Sequence, residues 1–405
     1  MKTHEIVLLG ILLGCGPVQE SALTTPKGRA ALDEVLASSV GAGGLPGVVA
    51  AITTPDSVVY RGAFGTMDAS GRQPMAPDAL FQIFSMTKPI TSAAIMTLVE
   101  EGAVDLDAPA EEYLPELRGR EVLVAVDTVA ETFTTRPASR PITVRDLLRH
   151  TSGIGYSFAS HELVDLGAVT DLPARAQPIL HDPGAGWTYG MGTAFLGWIV
   201  EEVSGESLDD FLESRVLAPL GMDHTFFTPP QYDSASLVAT YRREGGQLIG
   251  SPRPQNFPGT VRGDGGLLST AGDYARFMQM ILNGGERGGV RVLSEESVAE
   301  MTRDQLDSLV VVEQPGAVPA WSRPFPLGAG RDGFGLGFQI KKGREEGKRP
   351  PGSLSWAGIQ NTHFWIDVEN GIGIVLLLQV LPFYDEAAIH LLTEFERVLY
   401  SDVMG

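Results

Sequence analysis

Cysteine is nearly missing from this chain. Cys15 is the only one among 405 residues, so no internal disulfide can form. Positive charge is scarce as well: 30 Lys and Arg face 50 Asp and Glu, a net charge of −20. That balance argues against a nucleic-acid partner, because a phosphate backbone needs a basic surface. It also disfavours adsorption to anionic lipid. No internal apolar run is long enough for a transmembrane helix. The best candidate, Ile374-Val375-Leu376-Leu377-Leu378, is short and follows Gly371 and Gly373, so it reads as a buried strand. The seven histidines are scattered, with no His-x-His or His-Glu-x-x-His spacing for zinc. No Gly-x-Ser-x-Gly elbow occurs, which counts against an α/β-hydrolase. Gly263 to Gly266 lacks a Walker lysine and reads as a turn. What remains is ordinary globular composition, 43% hydrophobic and 20% charged, with length for a large core and more than one lobe.

What the chain does have is Phe84-Ser85-Met86-Thr87-Lys88-Pro89, at the head of an apolar segment that runs to Gly102. A serine attacks only with a base in reach and donors waiting for the oxyanion it creates. A spacing of three puts Ser85 and Lys88 on one helix face, one turn apart. Pro89 fits only near a helix start, so Ser85 lies close to the N-terminus, where the dipole favours developing negative charge. The chain has six lysines, and only Lys88 has a serine three residues before it. Chance would supply roughly 0.4 such pairs in this composition, so the motif alone is weak.

Two other stretches agree with it. Gly186-Trp187-Thr188-Tyr189-Gly190-Met191 lies about a hundred residues on, after the turn His181-Asp182-Pro183-Gly184. Ser353-Leu354-Ser355-Trp356-Ala357-Gly358 lies near the C-terminus, followed by Asn361-Thr362-His363-Phe364-Trp365. In order and spacing the chain resembles the serine β-lactamase and penicillin-binding-protein superfamily. Within it, the chain looks most like the class C β-lactamase relatives known as family VIII carboxylesterases. Leu147-Leu148-Arg149-His150-Thr151-Ser152-Gly153, Pro219-Leu220-Gly221-Met222 and Gly265-Gly266-Leu267-Leu268-Ser269-Thr270 match as well, and the likeness covers roughly residues 27–400.

The resemblance implies roles. Ser85 would accept the acyl group. Lys88 would be its general base if neutral part of the time, or else a cation supporting a deprotonated tyrosine; the sequence leaves both open. Tyr189 would relay the proton and later protonate the leaving alcohol. The oxyanion hole would be the backbone N–H groups of Ser85 and Ile359. The usual Lys-Thr-Gly motif of β-lactamases is here Trp356-Ala357-Gly358, and the asparagine two residues after their tyrosine is Met191. An indole and a thioether make that part of the cleft apolar, which suits a neutral ester better than an anionic β-lactam. Gly358 would let the backbone approach the acyl group. No cofactor or metal is called for. The expected function is a serine carboxylesterase for short- to medium-chain acyl esters. A β-lactamase, a D-amino-acid peptidase and an acyltransferase are the alternatives, with a non-catalytic penicillin-binding scaffold as the non-enzyme class. His150 reads as structural, and His363 is a weaker candidate to line the cleft.

The segments suggest a mixed α/β (α+β) class. Ala30 to Ser39 and Tyr274 to Asn283 have helical periodicity, and Thr193 to Val203 is a clear amphipathic helix. Gly47 to Thr54, Ser57 to Gly65, Phe334 to Ile340, Leu354 to Trp356, Thr362 to Asp367 and Ile372 to Gln379 have strand composition. Val368-Glu369-Asn370-Gly371 signals a hairpin, and Asp385 to Tyr400 a closing helix. Strands at both ends imply one antiparallel sheet flanked by helices, with a mostly helical domain inserted, as in the penicillin-binding fold that the resemblance implies. The expected division is 27–103 with 255–405 for the sheet domain and 104–254 for the helical one. Val122 to Arg140 reads as a surface loop. Lys341 to Arg349 reads as a solvated loop.

Residues 1–26 stand apart. Lys2, the apolar run Ile6 to Leu13 and Leu12-Leu13-Gly14-Cys15 resemble a bacterial lipoprotein signal, with Cys15 a candidate lipid anchor. Glu5 offsets Lys2 and the apolar run is short, so a frayed N-terminus of a cytoplasmic enzyme competes with it. The balance tips slightly to export into the envelope.

Overall fold

The computed structural model describes residues 22–41, 44–227, 236–251 and 261–405. Cys15 lies outside them. The described chain enters through α1 (Pro26–Ser39), where the Thr25 hydroxyl accepts from the Gly28 N–H and proline fills the first turn. The strands β1 (Gly47–Thr53) and β2 (Val58–Gly65) pair antiparallel. Next comes α2 (Thr87–Glu100), entered through a tight turn at Phe84–Met86. Pro89 is its third residue, where a backbone N–H would have no intrahelical acceptor. Every residue of α2 from Thr87 to Leu98 is buried, so it is a core helix with no solvent face.

The middle of the chain holds β3 (Glu121–Asp127), β4 (Thr132–Pro137), α3 (Gly192–Ser204), β5 (Tyr241–Glu244) and β6 (Gln247–Gly250). The last part holds α4 (Ala271–Leu282), β7 (Gly333–Phe334), β8 (Gln339–Ile340), β9 (Leu354–Gly358), β10 (Thr362–Asp367), β11 (Ile372–Leu377) and α5 (Glu386–Arg397). One antiparallel sheet runs in the order β7-β8-β9-β10-β11-β1-β2. The first two strands thus sit beside the last ones, as the distant strand segments led us to expect.

Period-two alternation divides the sheet's side chains between two cores. Val49, Ala51, Phe364, Val375 and Leu377 pack with Ile90 of α2 and Tyr274 of α4. Val48, Ala50, Trp365, Ile374 and Leu376 pack with Leu32 of α1 and Leu391 of α5. Both faces are covered, which is why all seven residues of β1 are buried and why its sequence is apolar without a polar period.

Three readings change. Val122 to Arg140 is no loop: β3 and β4 form a hairpin. Its Val122-Leu123-Val124 and Thr132-Phe133-Thr134 runs are good strand formers, but the hairpin is mostly exposed, so no buried face declared it. Phe334 to Ile340 is two short strands rather than one. Gly337 takes φ +102, and a Cβ there would lie 2.8 Å from Ser92 Oγ and 3.3 Å from the Pro89 Cα, so the chain turns tightly over α2. The β5–β6 hairpin falls in the span read as helical, yet Tyr241 pairs in parallel with Val380 and packs in the core of α1 and α5. No helix among the described residues is long and apolar enough to cross a membrane.

Candidate active site

Ser85 sits in the Phe84–Met86 turn, two residues ahead of α2. Phe84 holds φ +45, a left-handed conformation rare for a bulky residue, and it swings the chain into the helix at this point. Lys88 is the second residue of α2, and only 1% of it is exposed. Its Nζ donates to Ser85 Oγ at 3.1 Å, to the Tyr156 hydroxyl at 3.1 Å and to the Asp264 backbone carbonyl at 2.7 Å. An ammonium has three N–H donors, and these three acceptors use them all. A neutral amine would keep two of the bonds and turn its lone pair to the Ser85 hydroxyl.

Tyr189 is buried beside this lysine. Its ring centroid lies 4.9 Å from Lys88 Nζ, so it meets the amine with its face. Its hydroxyl accepts from Trp356 Nε1–H at 3.4 Å, and no bond from it to Ser85 or Lys88 is found among the described residues. The phenol that does bond Lys88 is Tyr156, which the motifs did not single out. Tyr156 donates to the Asp264 carboxylate, and Arg262 holds that carboxylate at 2.9 and 2.6 Å. Burial, and then the Asp264 charge, push the Tyr156 phenol well above its ordinary range, so it stays protonated. Two signals were available: Tyr156 lies three residues beyond the Gly153 that ends the matching stretch, and Asp264 lies inside the glycine-rich turn Gly263 to Gly266.

Strand β9 forms the other side. β8 pairs only with Leu354 and Ser355, so among the described residues the edge of Trp356, Ala357 and Gly358 away from β10 has no partner strand. Trp356 is 7% exposed and lies 4.8 Å from the Tyr189 ring and 5.3 Å from Phe334. Met191 is buried at the start of α3 in the same core. At Gly358 a Cβ would stand 2.4 Å from the Ile83 carbonyl oxygen. The glycine is therefore needed first for the strand end to close on the segment just before Ser85, whatever room it also leaves for an acyl group. The next residue is Ile359, and its N–H donates to no acceptor among the described residues.

His150 is buried among Tyr189, Phe334 and Trp187, with ring centroids 4.9, 5.2 and 6.0 Å away. Burial and then the Lys88 charge hold its imidazole well below the ordinary value, so it is a neutral packing group here. His363 is the register partner of Ala357 and faces a cavity that lacks Ser85. No group of three or more His, Cys, Asp or Glu suited to a metal occurs among the described residues.

A serine hydroxyl against a buried amine, two phenols and a glycine-ended strand edge is a constellation for acyl transfer. Lovastatin esterase of Penicillium rubens is 28% identical over 91% of this chain and 98% of its own length. Monacolin J acid methylbutanoyltransferase of Aspergillus terreus is 28% identical over 81% of this chain and 83% of its own. Among solved structures, a mutant simvastatin synthase from Aspergillus terreus superposes with a TM-score of 0.79 at 26% identity, covering 94% of this chain and 98% of that one. The fold is the penicillin-binding and β-lactamase fold. The family model described as Beta-lactamase matches residues 32–396, and the chain belongs to the beta-lactamase family.

Proposed function

We propose that this chain is a serine carboxylesterase of the family VIII type, acting on short- to medium-chain acyl esters through a covalent acyl-enzyme on Ser85. The observation that carries the reading is the 3.1 Å contact between Lys88 Nζ and Ser85 Oγ, with Trp356 where a β-lactamase places a cation. Ser85 Oγ attacks the ester carbonyl carbon and its proton passes to Lys88 Nζ. The N–H groups of Ser85 and Ile359 receive the oxyanion. The tetrahedral intermediate collapses, the C–O bond to the alcohol breaks, and the alcohol leaves with the proton returned from Lys88, Tyr189 relaying it once its hydroxyl leaves Trp356 Nε1 and comes within reach of the amine and the leaving oxygen. Water then attacks the acyl-enzyme by the same route in reverse and releases the acid. Tyr156 and Asp264 anchor the amine, so that Lys88 returns to one position after each proton transfer.

Trp356, Ala357 and Met191 offer apolar side chains where β-lactam recognition would need a cation and an amide. The esterase among the relatives supports hydrolysis, and the methylbutanoyltransferase supports a second reading, transfer of the acyl group to an alcohol in place of water. Export to the bacterial envelope, with Cys15 lipidated, belongs to this proposal and rests on the sequence of residues 1–26. A panel of p-nitrophenyl acetate, butyrate and palmitate with nitrocefin tests the reading. Acetate and butyrate should be turned over well ahead of palmitate and nitrocefin. Added alcohol that diverts product from acid to ester would favour the second reading.

A further inference from the structure

A single phenol separates Lys88 from a carboxylate. Lys88 Nζ donates to the Tyr156 hydroxyl at 3.1 Å, and that hydroxyl donates to Asp264 Oδ2. Arg262 closes the row from the far side. Its Nε donates to Asp264 Oδ1 at 2.9 Å and its Nη2 to Oδ2 at 2.6 Å, a two-pronged pair. The order is amine, phenol, carboxylate, guanidinium. Only 3% of the Asp264 side chain is exposed, against 42% of the Arg262 side chain, so the row runs from the buried amine out to solvent.

The turn that carries Asp264 is held against two helices. The Gly263 carbonyl accepts from Thr91 Oγ1 of α2 at 2.8 Å. A Cβ on Gly263 would stand 2.4 Å from the Thr193 carbonyl oxygen of α3 and 2.9 Å from Thr91 Cγ2, so only glycine lets the turn lie this close. From there Asp264 meets Lys88 twice: directly with its backbone carbonyl at 2.7 Å, and through Tyr156 with its carboxylate. The carbonyl alone would hold the amine. The carboxylate adds a charge, and in a buried site that charge reaches Lys88 with little screening. The other ionisable groups facing Lys88 are Ser85, Tyr156, Tyr189 and His150. Burial keeps His150 neutral and Tyr156 protonated, and no carboxylate bonds Nζ itself among the described residues.

We propose that Asp264 and Arg262 are a pair of positioning residues that set how firmly Lys88 holds the Ser85 proton. Asp264 pulls towards the ammonium through Tyr156, and Arg262 limits that pull. The inference rests on Ser85 as nucleophile and Lys88 as its base. When Ser85 Oγ bonds the carbonyl carbon, its proton passes to Lys88 Nζ and a cation forms in a buried place. Asp264 stabilises that cation across the phenol. An Asp264 without Arg262 would hold the ammonium in the resting enzyme as well, and the base would be blocked. Shared between two cations, the carboxylate helps the transfer without locking its product.

The pH dependence of attack by Ser85 tests this. It is read as kcat/KM for p-nitrophenyl butyrate and, without any turnover, as the rate at which a fluorophosphonate labels Ser85. The acid limb of either profile reports the group that must lose its proton in the free enzyme. Arg262→Gln should move the midpoint of that limb up by at least about half a pH unit, since the uncompensated Asp264 keeps the amine protonated. Asp264→Asn, whose amide oxygen can still accept from Tyr156, should move it down by about one pH unit. The double variant should return close to the unaltered chain, and so should Arg262→Lys, which restores the cation. If Asp264→Asn does not fold, Arg262→Gln and Arg262→Lys at the solvent end carry the test. A limb that no variant moves, or single variants that move it the same way, would overturn the charge pair and leave Ser85 as nucleophile. An unaltered chain whose Ser85 takes no label and turns over no ester would overturn the nucleophile and the charge pair together.

Discussion

The two sides of β9 use lysine in opposite ways. On the Trp356 side, Lys88 is buried and its three partners are a hydroxyl, a phenol and a carbonyl, with no carboxylate on its Nζ among the described residues. On the Ala357 side, Lys341, Lys348 and Arg349 each hold a carboxylate. An amine among neutral acceptors can trade one of them for a substrate atom without leaving an anion unpaired, whereas a paired cation is tied to its carboxylate. The contrast separates a position fit for chemistry from one fit for holding the fold together. It also says where alterations should hurt most.

The largest effect should come from the nucleophile. Ser85→Ala is expected to lower kcat/KM for p-nitrophenyl butyrate by at least about a thousandfold and up to about 10⁶, as when a member of a concerted unit is removed. Near-normal turnover by a folded Ser85→Ala protein would remove the proposed chemistry. A fluorophosphonate adduct mapped by mass spectrometry to any peptide other than the one with Ser85 would do the same.

Next in size is discrimination. kcat/KM for p-nitrophenyl butyrate should exceed that for nitrocefin by about 10⁴, because Trp356 and Met191 stand where recognition of a β-lactam needs a cation and an amide. β-lactams proving the better substrates would reverse the meaning given to those two residues.

The two phenols should then separate. Tyr189→Phe and Lys88→Ala are expected to be far from additive, the double variant little worse than the weaker single one, since both serve one proton. Tyr156→Phe should cost about 10- to 100-fold, the worth of about 1–3 kcal/mol of lost hydrogen bonding to a charged group. Its kcat pH profile should shift as well, since the phenol fixes Lys88. An unchanged profile would make Tyr156 a packing residue.

The smallest effect belongs to the paired side and is read as stability. Burial alone would raise the Glu396 carboxyl, but the neighbouring Arg349 and Lys348 charges lower it from 4.5 to about 2. A carboxylate held low in the folded chain stabilises it above its unfolded value and loses that contribution as pH falls through the folded one. The window is therefore from about 4.5 down to about 2, and the contribution is at most about 3 kcal/mol. Glu396→Gln should be less stable at neutral pH, where Arg349 loses its partner, and its urea midpoint should vary less with pH inside that window. A parallel acid loss in both proteins would exclude Glu396 as its source.

How much of this was legible in the sequence depended on distance along the chain. Ser85 and Lys88 are one helical turn apart, so their contact follows from spacing alone. The strands of the sheet were legible because burial on both faces makes them apolar runs, as in β1 and β11. Tyr156 and Asp264 meet Lys88 from 68 and 176 residues away, and a lone tyrosine in a sequence reads as a core aromatic. The hairpin of β3 and β4 was hidden because its exposure removes the apolar face that would have marked it. The cavity by His363 forms only where α5, the basic loop and β9 converge, a coincidence no local pattern records.

Gly358 has a mechanical consequence. Its missing side chain lets the end of β9 rest on Ile83, two residues before Ser85, and Thr362 Oγ1 donates to that same carbonyl at 3.4 Å. The strand that ends at Gly358 and the turn that carries Ser85 are thereby clamped at one point. They cannot drift independently: whatever displaces one carries the other with it. On the proposed mechanism, a substrate would meet a jaw of fixed gap, and differences between acyl groups would be absorbed by the side chains around the jaw rather than by its hinge.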